Sequence, residues 1–136
     1  MDHVTKSRRS WLMSLVKSTN TSTELAVRKI IRRLGYKFQT YRKDLPGNPD
    51  IVISAKHSII FVHGCYWHRH KGCPKATTPK TRRAFWLDKF EKNVRRDATA
   101  RRRLRTLGWR VLVVWQCQLK SPERLERKLL KFLNSQ

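Results

Sequence analysis

Three cysteines and one histidine constrain this chain more than anything else in it. Cys65, His70 and Cys73 share one short stretch, and Cys117 lies far downstream. Three sulfurs and an imidazole suit a tetrahedral zinc ion. The spacing Cys-x-x-x-x-His-x-x-Cys lets one loop wrap that ion, and any fold must then bring residue 117 back to residue 65. All three cysteines are used, which leaves none for a disulfide framework. Four protein ligands fill the coordination sphere, so such a zinc is structural rather than catalytic. The alternative is three buried thiols and a surface histidine.

The second constraint is charge. The chain has 136 residues, enough for one domain, and carries 32 Lys+Arg against 9 Asp+Glu, a formal charge of +23. Self-repulsion of that size is relieved most simply by a polyanion, and clustered cations are the footprint of nucleic-acid binding. With 39% hydrophobic residues and five tryptophans, the chain is not a disordered basic tail. No apolar run is long enough to span a bilayer, and the stretch from Trp11 to Val16 is too short for a signal-peptide core. A cytoplasmic, nucleoid-associated protein with no membrane partner is expected. Without an evident coiled coil, a monomer is expected.

Hydrophobic periodicity predicts an α/β domain over residues 21–136, preceded by an arm over residues 1–20. Thr21-Ser22-Thr23-Glu24 reads as a helix start, with Leu25, Ala26, Ile30, Ile31 and Leu34 at helical spacing and Gly35 as the stop. Alternation from Tyr36 to Tyr41 predicts an edge strand, and Ile51–Ile53 and Ser58–Val62 predict two more, joined by a turn at Lys56-His57. A long helix is expected from about Thr81 to Leu107, with Phe85, Phe90, Val94, Leu104 and Leu107 among its apolar positions. Val111–Trp115 predicts a buried, parallel strand, and Pro122 opens a last helix with Leu125, Leu129 and Phe132 inward. The order gives an α/β/α layout around a mixed sheet.

With so few carboxylates, each can be weighed. Asp88, Glu91 and Asp97 lie among Arg and Lys on the long helix and read as solvated ion pairs. Asp50 follows Gly47-Asn48-Pro49 and opens an apolar strand, where a hard cation such as Mg²⁺ is one reason for a carboxylate and a turn cap is another. Glu24 is either a first-turn helix acid or a second site group. His63 and His68 follow a buried strand, where sites collect in α/β sheets and where a group titrating near neutrality suits phosphodiester hydrolysis. Spare zinc ligands or solvent-exposed side chains are the alternative. Tyr66 and Trp67 either wedge between bases or cover the zinc, whereas Trp86, Trp109 and Trp115 read as core. Arg101-Arg102-Arg103 and Arg105 read either as a track for phosphates, which the overall charge favours, or as a solvated charged face.

The stretch from Phe61 through His63-Gly64-Cys65-Tyr66-Trp67-His68-Arg69-His70 to Cys73-Pro74 resembles the very-short-patch repair (Vsr) endonucleases. So do Leu45-Pro46-Gly47-Asn48-Pro49-Asp50, Phe85-Trp86, Gly108-Trp109-Arg110-Val111-Leu112 and Val114-Trp115-Gln116-Cys117. The resemblance runs from about Arg8 to Leu133. It implies a restriction-endonuclease-like fold and a nick 5′ of the thymine in a T:G mismatch, the product of 5-methylcytosine deamination. It implies that Asp50 holds Mg²⁺ with the main-chain carbonyl of Val62. Glu24 and His63 would act on metal-bound waters and the scissile phosphate, and His68 would be the general base. Cys65, His70, Cys73 and Cys117 would hold structural zinc, with His68 the substitute for His70. Met13, Tyr66 and Trp67 would intercalate beside the mismatch. Mismatch-repair proteins are the implied partners. A zinc-stabilised binding protein without catalysis, and a same-fold nuclease of other specificity, are the rival readings.

Overall fold

A computed structural model describes residues 22–74 and 76–135. The proposed arm, with Met13, lies outside the described residues.

Helix α1 spans Ser22–Arg33 and carries Val27, Ile30 and Ile31 on one face. It stops at Gly35, whose φ of +90° suits a residue without a side chain. Strand β1 (Ile51–Ile53) and strand β2 (Ser58–His63) pair antiparallel, with Ile51 opposite Ile60. A single turn of 3₁₀ helix (Ser54–Lys56) joins them, and His57 reverses the chain at φ 49°. Helix α2 spans Arg83–Thr106, and strand β3 (Arg110–Trp115) then returns parallel to β2, with His63 opposite Trp115. A 3₁₀ segment (Gln116–Lys120) leads to helix α3 (Pro122–Asn134).

The sheet is therefore mixed, in the order β1-β2-β3. Alternation along its strands sorts the core into two halves. Ile51, Ile53, Ile60, Val62 and Val114 meet α1 and α3, through Val27, Ile31, Leu125, Leu129 and Leu133. Val52, Ile59 and Phe61 meet Leu104 of α2 on the opposite face. The result is three layers, α/β/α, as the element order predicts.

Several local expectations change. The predicted edge strand over 36–41 shrinks to one antiparallel bridge, Gln39 with Val52, because Tyr41 adopts a left-handed backbone (φ 52°) that turns the chain away. Strand β3 lies at the sheet edge and is half-buried apart from Val114, rather than wholly buried. On α2 the buried stripe is Phe90, Asn93, Ala100 and Leu104, while Phe85, Val94 and Leu107 are exposed. On α3 Leu133 rather than Phe132 is fully buried, and Phe132 lies under the Arg110 guanidinium. Trp86, Trp109 and Trp115 are only half-buried.

Gly47 fixes the approach to β1. Its φ is +78°, and a Cβ there would lie 2.7 Å from the Cβ of Ala100 and 3.3 Å from the Phe61 ring. Only glycine lets this loop pass so close to α2 on its way to Asp50.

Candidate active site and metal centre

The C-terminal end of β2 emits two clusters. The first is formed by Cys65, His70, Cys73 and Cys117, whose donor atoms all lie within 4.8 Å of one another. His70 Nδ1 is 3.6 Å from Cys65 Sγ and 3.3 Å from Cys117 Sγ. Donors around a tetrahedral ion with ordinary zinc bond lengths stand about 3.6 Å apart for sulfur and nitrogen, so the set fits one such ion. Burial pushes the Cys65 thiol up to about 11, so in this setting it ionises readily only with a cation beside it. The 3₁₀ turn after β3 delivers Cys117, whose backbone N–H also donates to Cys65 Sγ (3.4 Å). His70 stacks on Trp115 (centroids 4.2 Å apart).

The loop between these ligands is pinned by Arg69. Its guanidinium donates to the carbonyls of Tyr66, Ala76 and Thr77 and to the Thr78 hydroxyl, and it lies over the Phe90 ring of α2 at 4.1 Å. Its own backbone is left-handed (φ 55°), so the side chains on either side of it diverge. His70 goes to the cysteines, whereas His68 goes to α2.

There His68 Nδ1 meets Asp97 Oδ2 at 2.6 Å. The His68 ring stacks on His63, with centroids 3.9 Å apart and planes 7° apart. His63 is 4% exposed, and its Nδ1 has no hydrogen-bond partner among the described residues. Burial first, then the neighbouring His68, lowers its pKa to about 3, so the ring is neutral near pH 7. Burial acts to raise the Asp97 pKa. The bond and charge of His68, with His63 and Arg101 nearby, still hold its carboxyl below the ordinary range.

Asp97 is the group that sequence reasoning passed over. Asp88 and Glu91 do form exposed i,i+4 pairs, with Lys92 and Arg95, but Asp97 turns inward. The signal was its spacing: residues 90, 93, 97, 100 and 104 form one stripe at intervals of three and four, and Asp97 falls on it.

Asp50 lies beside this cluster. Its Oδ2 accepts from the Val62 backbone N–H at 2.7 Å, which ties the start of β1 to the end of β2. Burial, opposed by that bond and aided by the charge of Glu24, raises its pKa to about 7, while His68 and Arg28 act in the opposite sense. Glu24 is 7% exposed on the inner face of α1. It accepts from Arg28 (3.3 Å) and from the Tyr41 hydroxyl. His63, His68 and Asp97 bring donor atoms within 4.8 Å of one another at one end of the sheet, and Asp50 lies near enough to feel the charges of both His68 and Glu24.

The aromatic pair is unequal. Tyr66 is half-buried, edge-on to Trp67 and Phe90. Trp67 is 8% exposed and packed against Trp86 and Phe90, with the Lys89 ammonium above it. Arg102, Arg103 and Arg105 are exposed on α2, and Arg101 leans toward the histidines. His57 stacks on Trp109 at the far end of β2, away from the site. Among the described residues, no helix is long and apolar enough to cross a membrane.

The family model described as "DNA mismatch endonuclease Vsr" matches residues 1–75. The chain is 45% identical over 133 residues to a type II nicking enzyme, V.XorIIP, of Xanthomonas oryzae pv. oryzae, covering 98% of this chain and 97% of the relative. It is 40% identical over 125 residues to the DNA mismatch endonuclease Vsr of Escherichia coli, covering 92% and 80%. A further nicking enzyme, V.NmeAIP of Neisseria meningitidis, is 39% identical over 130 residues, with 93% and 92% covered. Acids and histidines gathered at the end of β2 and relatives matched over nearly the whole chain agree: this chain belongs to the Vsr family of DNA mismatch endonucleases.

Proposed function

We propose that this endonuclease nicks duplex DNA 5′ of the thymine in a T:G mismatch, initiating repair of deaminated 5-methylcytosine. The fold is read as restriction-endonuclease-like, with Pro49-Asp50 on one strand and His63 standing where that fold places a lysine on the next. The observation that carries the reading is the His68–Asp97 pair at 2.6 Å beside a half-buried Asp50.

Each residue's role follows from its surroundings. Asp97 accepts the Nδ1 proton of His68, which leaves Nε2 as the lone pair of a general base for the attacking water. Stacking on His63 fixes the plane of that base. Neutral His63 offers a hydrogen bond to a phosphate oxygen without adding charge. Asp50, with the carbonyl of Val62, would hold Mg²⁺, and Glu24 would order its waters. A half-buried carboxylate raised to about 7, with a second acid at hand, suits a hard cation. When bound, that ion supplies charge stabilisation to the phosphate and leaving oxygen. Cys65, His70, Cys73 and Cys117 would hold zinc as a staple, since the thiol-rich, closed set fits that ion. Tyr66 and Met13 are read as the wedge at the mismatch. Trp67 joins them only by leaving its pocket against Trp86 and Phe90.

The names of two relatives favour a second reading: a nicking enzyme of the same chemistry acting within a different flanking sequence. One assay, run with the mismatch set in two different flanking sequences, tests both. A labelled duplex with a single T:G pair is compared with its matched control, in Mg²⁺ and in EDTA, for wild type and Asp50→Ala. A nick only at the mismatch, only in Mg²⁺ and lost in Asp50→Ala is expected. Equal cutting of both duplexes would discard mismatch specificity. Tight binding without cleavage would leave a binding protein.

A further inference from the structure

Glu24 is built into a network of its own. Arg28 lies one turn along α1 and is 6% exposed, on the same face as Val27, Ile30 and Ile31. A guanidinium on that face costs stability unless it is paired. It donates to Glu24 Oε2 at 3.3 Å and to the Tyr41 hydroxyl, and it lies 5.1 Å from the centre of the Tyr41 ring. The Tyr41 hydroxyl in turn donates to the same oxygen, Glu24 Oε2. Three side chains therefore close a ring of charge-assisted contacts around one carboxylate oxygen.

Where Tyr41 sits gives the ring its meaning. Tyr41 belongs to the connection that leaves α1, bridges to β1 at Gln39 and arrives at Asp50. Its backbone is left-handed (φ 52°), a conformation unfavourable for a bulky side chain and held only where its surroundings require it. The strained turn points the phenol back at α1. Two hydrogen bonds of the Tyr41 hydroxyl, to Glu24 and from Arg28, thus tie the helix that bears Glu24 to the connection that bears Asp50.

We propose that Tyr41 and Arg28 are positioning residues for Glu24. Tyr41 sets where the carboxylate stands, and Arg28 is the counter-charge that lets a second acid stand beside Asp50 before any cation arrives. This rests on the catalytic reading of Glu24 and Asp50 given above. Neither residue belongs to the proposed reacting set: Tyr41 acts through Glu24, and Arg28 through Glu24 and through its charge near Asp50.

Tyr41→Phe removes the hydroxyl and keeps the ring over Arg28. Single-turnover nicking of the T:G duplex should slow about tenfold, the rate equivalent of one charge-assisted bond. Affinity for the same duplex, measured by fluorescence anisotropy in EDTA, should stay within about twofold, since the loss falls on the chemical step. In a Glu24→Gln background, Tyr41→Phe should change the rate by less than about twofold. Arg28→Lys should keep more activity than Arg28→Met. The same Tyr41/Glu24 cycle followed by urea unfolding reads the contact independently of substrate. A penalty for losing the hydroxyl is expected in the wild-type background and a smaller one in the Glu24→Gln background, where the bond from Arg28 remains. A wild-type rate for Tyr41→Phe, or equal slowing in both backgrounds, overturns the inference while leaving the proposed function intact if Asp50→Ala is dead. If no duplex is nicked, the proposed function falls. The urea cycle then decides the inference, and additive penalties overturn it.

Discussion

Replacing Asp97 by Asn tests the proposed base most directly. The side chain keeps its size, so packing on the α2 stripe is preserved, and what changes is the partner of His68. The contact at 2.6 Å joins groups that are 31% and 20% exposed, close enough and dry enough for a charge-assisted bond. Such a bond is worth about 1.5–3 kcal/mol. Its loss also removes the charge that stabilises the imidazolium and allows the wrong tautomer. Together these raise the barrier by about 3–4 kcal/mol, or roughly 10²–10³ in rate at about 1.4 kcal/mol per tenfold. That lies within the range typical of general-base catalysis. Single-turnover nicking of a T:G duplex should fall by this factor, with DNA affinity within about twofold of wild type. In a His68→Ala background the same substitution should cost less than about threefold, because the pair acts as a unit. Near-wild-type nicking by Asp97→Asn, with His68→Ala inactive, would refute the pairing. So would a full additional loss in the His68→Ala background.

Two further outcomes follow from the fold. Cys117→Ala should drop zinc measured by atomic absorption from one per chain to a weakly held fraction. It should also lower the thermal midpoint by more than about 10 °C, since a structural zinc contributes folding free energy outright. An unchanged midpoint would mean that the cluster holds no ion in solution. Gly47→Ala meets both a φ of +78° and a contact of 2.7 Å with Ala100, so urea unfolding should show a loss of about 1–3 kcal/mol. Measured against Ala100→Gly alone, which carries the cost of glycine inside α2, the double variant should lose the clash with Ala100 and keep the backbone part.

What the sequence displays and what it hides divide along a physical line. The gathering of the side chains at 65, 70, 73 and 117 was legible because the fitness of a set for a metal depends on residue type and loop length, both written in the chain. Helices α1 and α3 and strand β2 were legible because their apolar positions keep one period throughout. The strand over 36–41 was misjudged because its alternation is real, but a single left-handed residue, Tyr41, ends the pairing. The buried stripe of α2 was not legible because Phe85, Val94 and Leu107 are as hydrophobic as buried residues, while Asn93 and Ala100 occupy the stripe that meets the sheet. Asp97 was missed for the same reason: among many cations a carboxylate looks like a surface ion pair. Only the packing of α2 against the end of β2 reveals that it faces His68.

The placement of two clusters on one loop explains how so small a chain can hold a precise site. A general base must be positioned to about half an ångström, and irregular loops are poor platforms for that. Here the proposed base, His68, lies two residues from His70, and the chain between them is fixed from three directions. The cysteine cluster anchors the downstream side to the end of β3. Arg69 anchors the middle, binding the return limb of the loop through Ala76, Thr77 and Thr78 and packing on Phe90. Gly64 and Cys65 anchor the upstream side through backbone bonds from His68 and His70 back to their carbonyls. Phe90, Asp97 and Ala100 lie along one stripe of α2, and that stripe also receives Gly47, which leads to Asp50. The helix is therefore a common rail. Any force that shifts α2 moves the base, its carboxylate partner and the approach to Asp50 together, so their mutual geometry survives motions that would scatter groups held on independent loops.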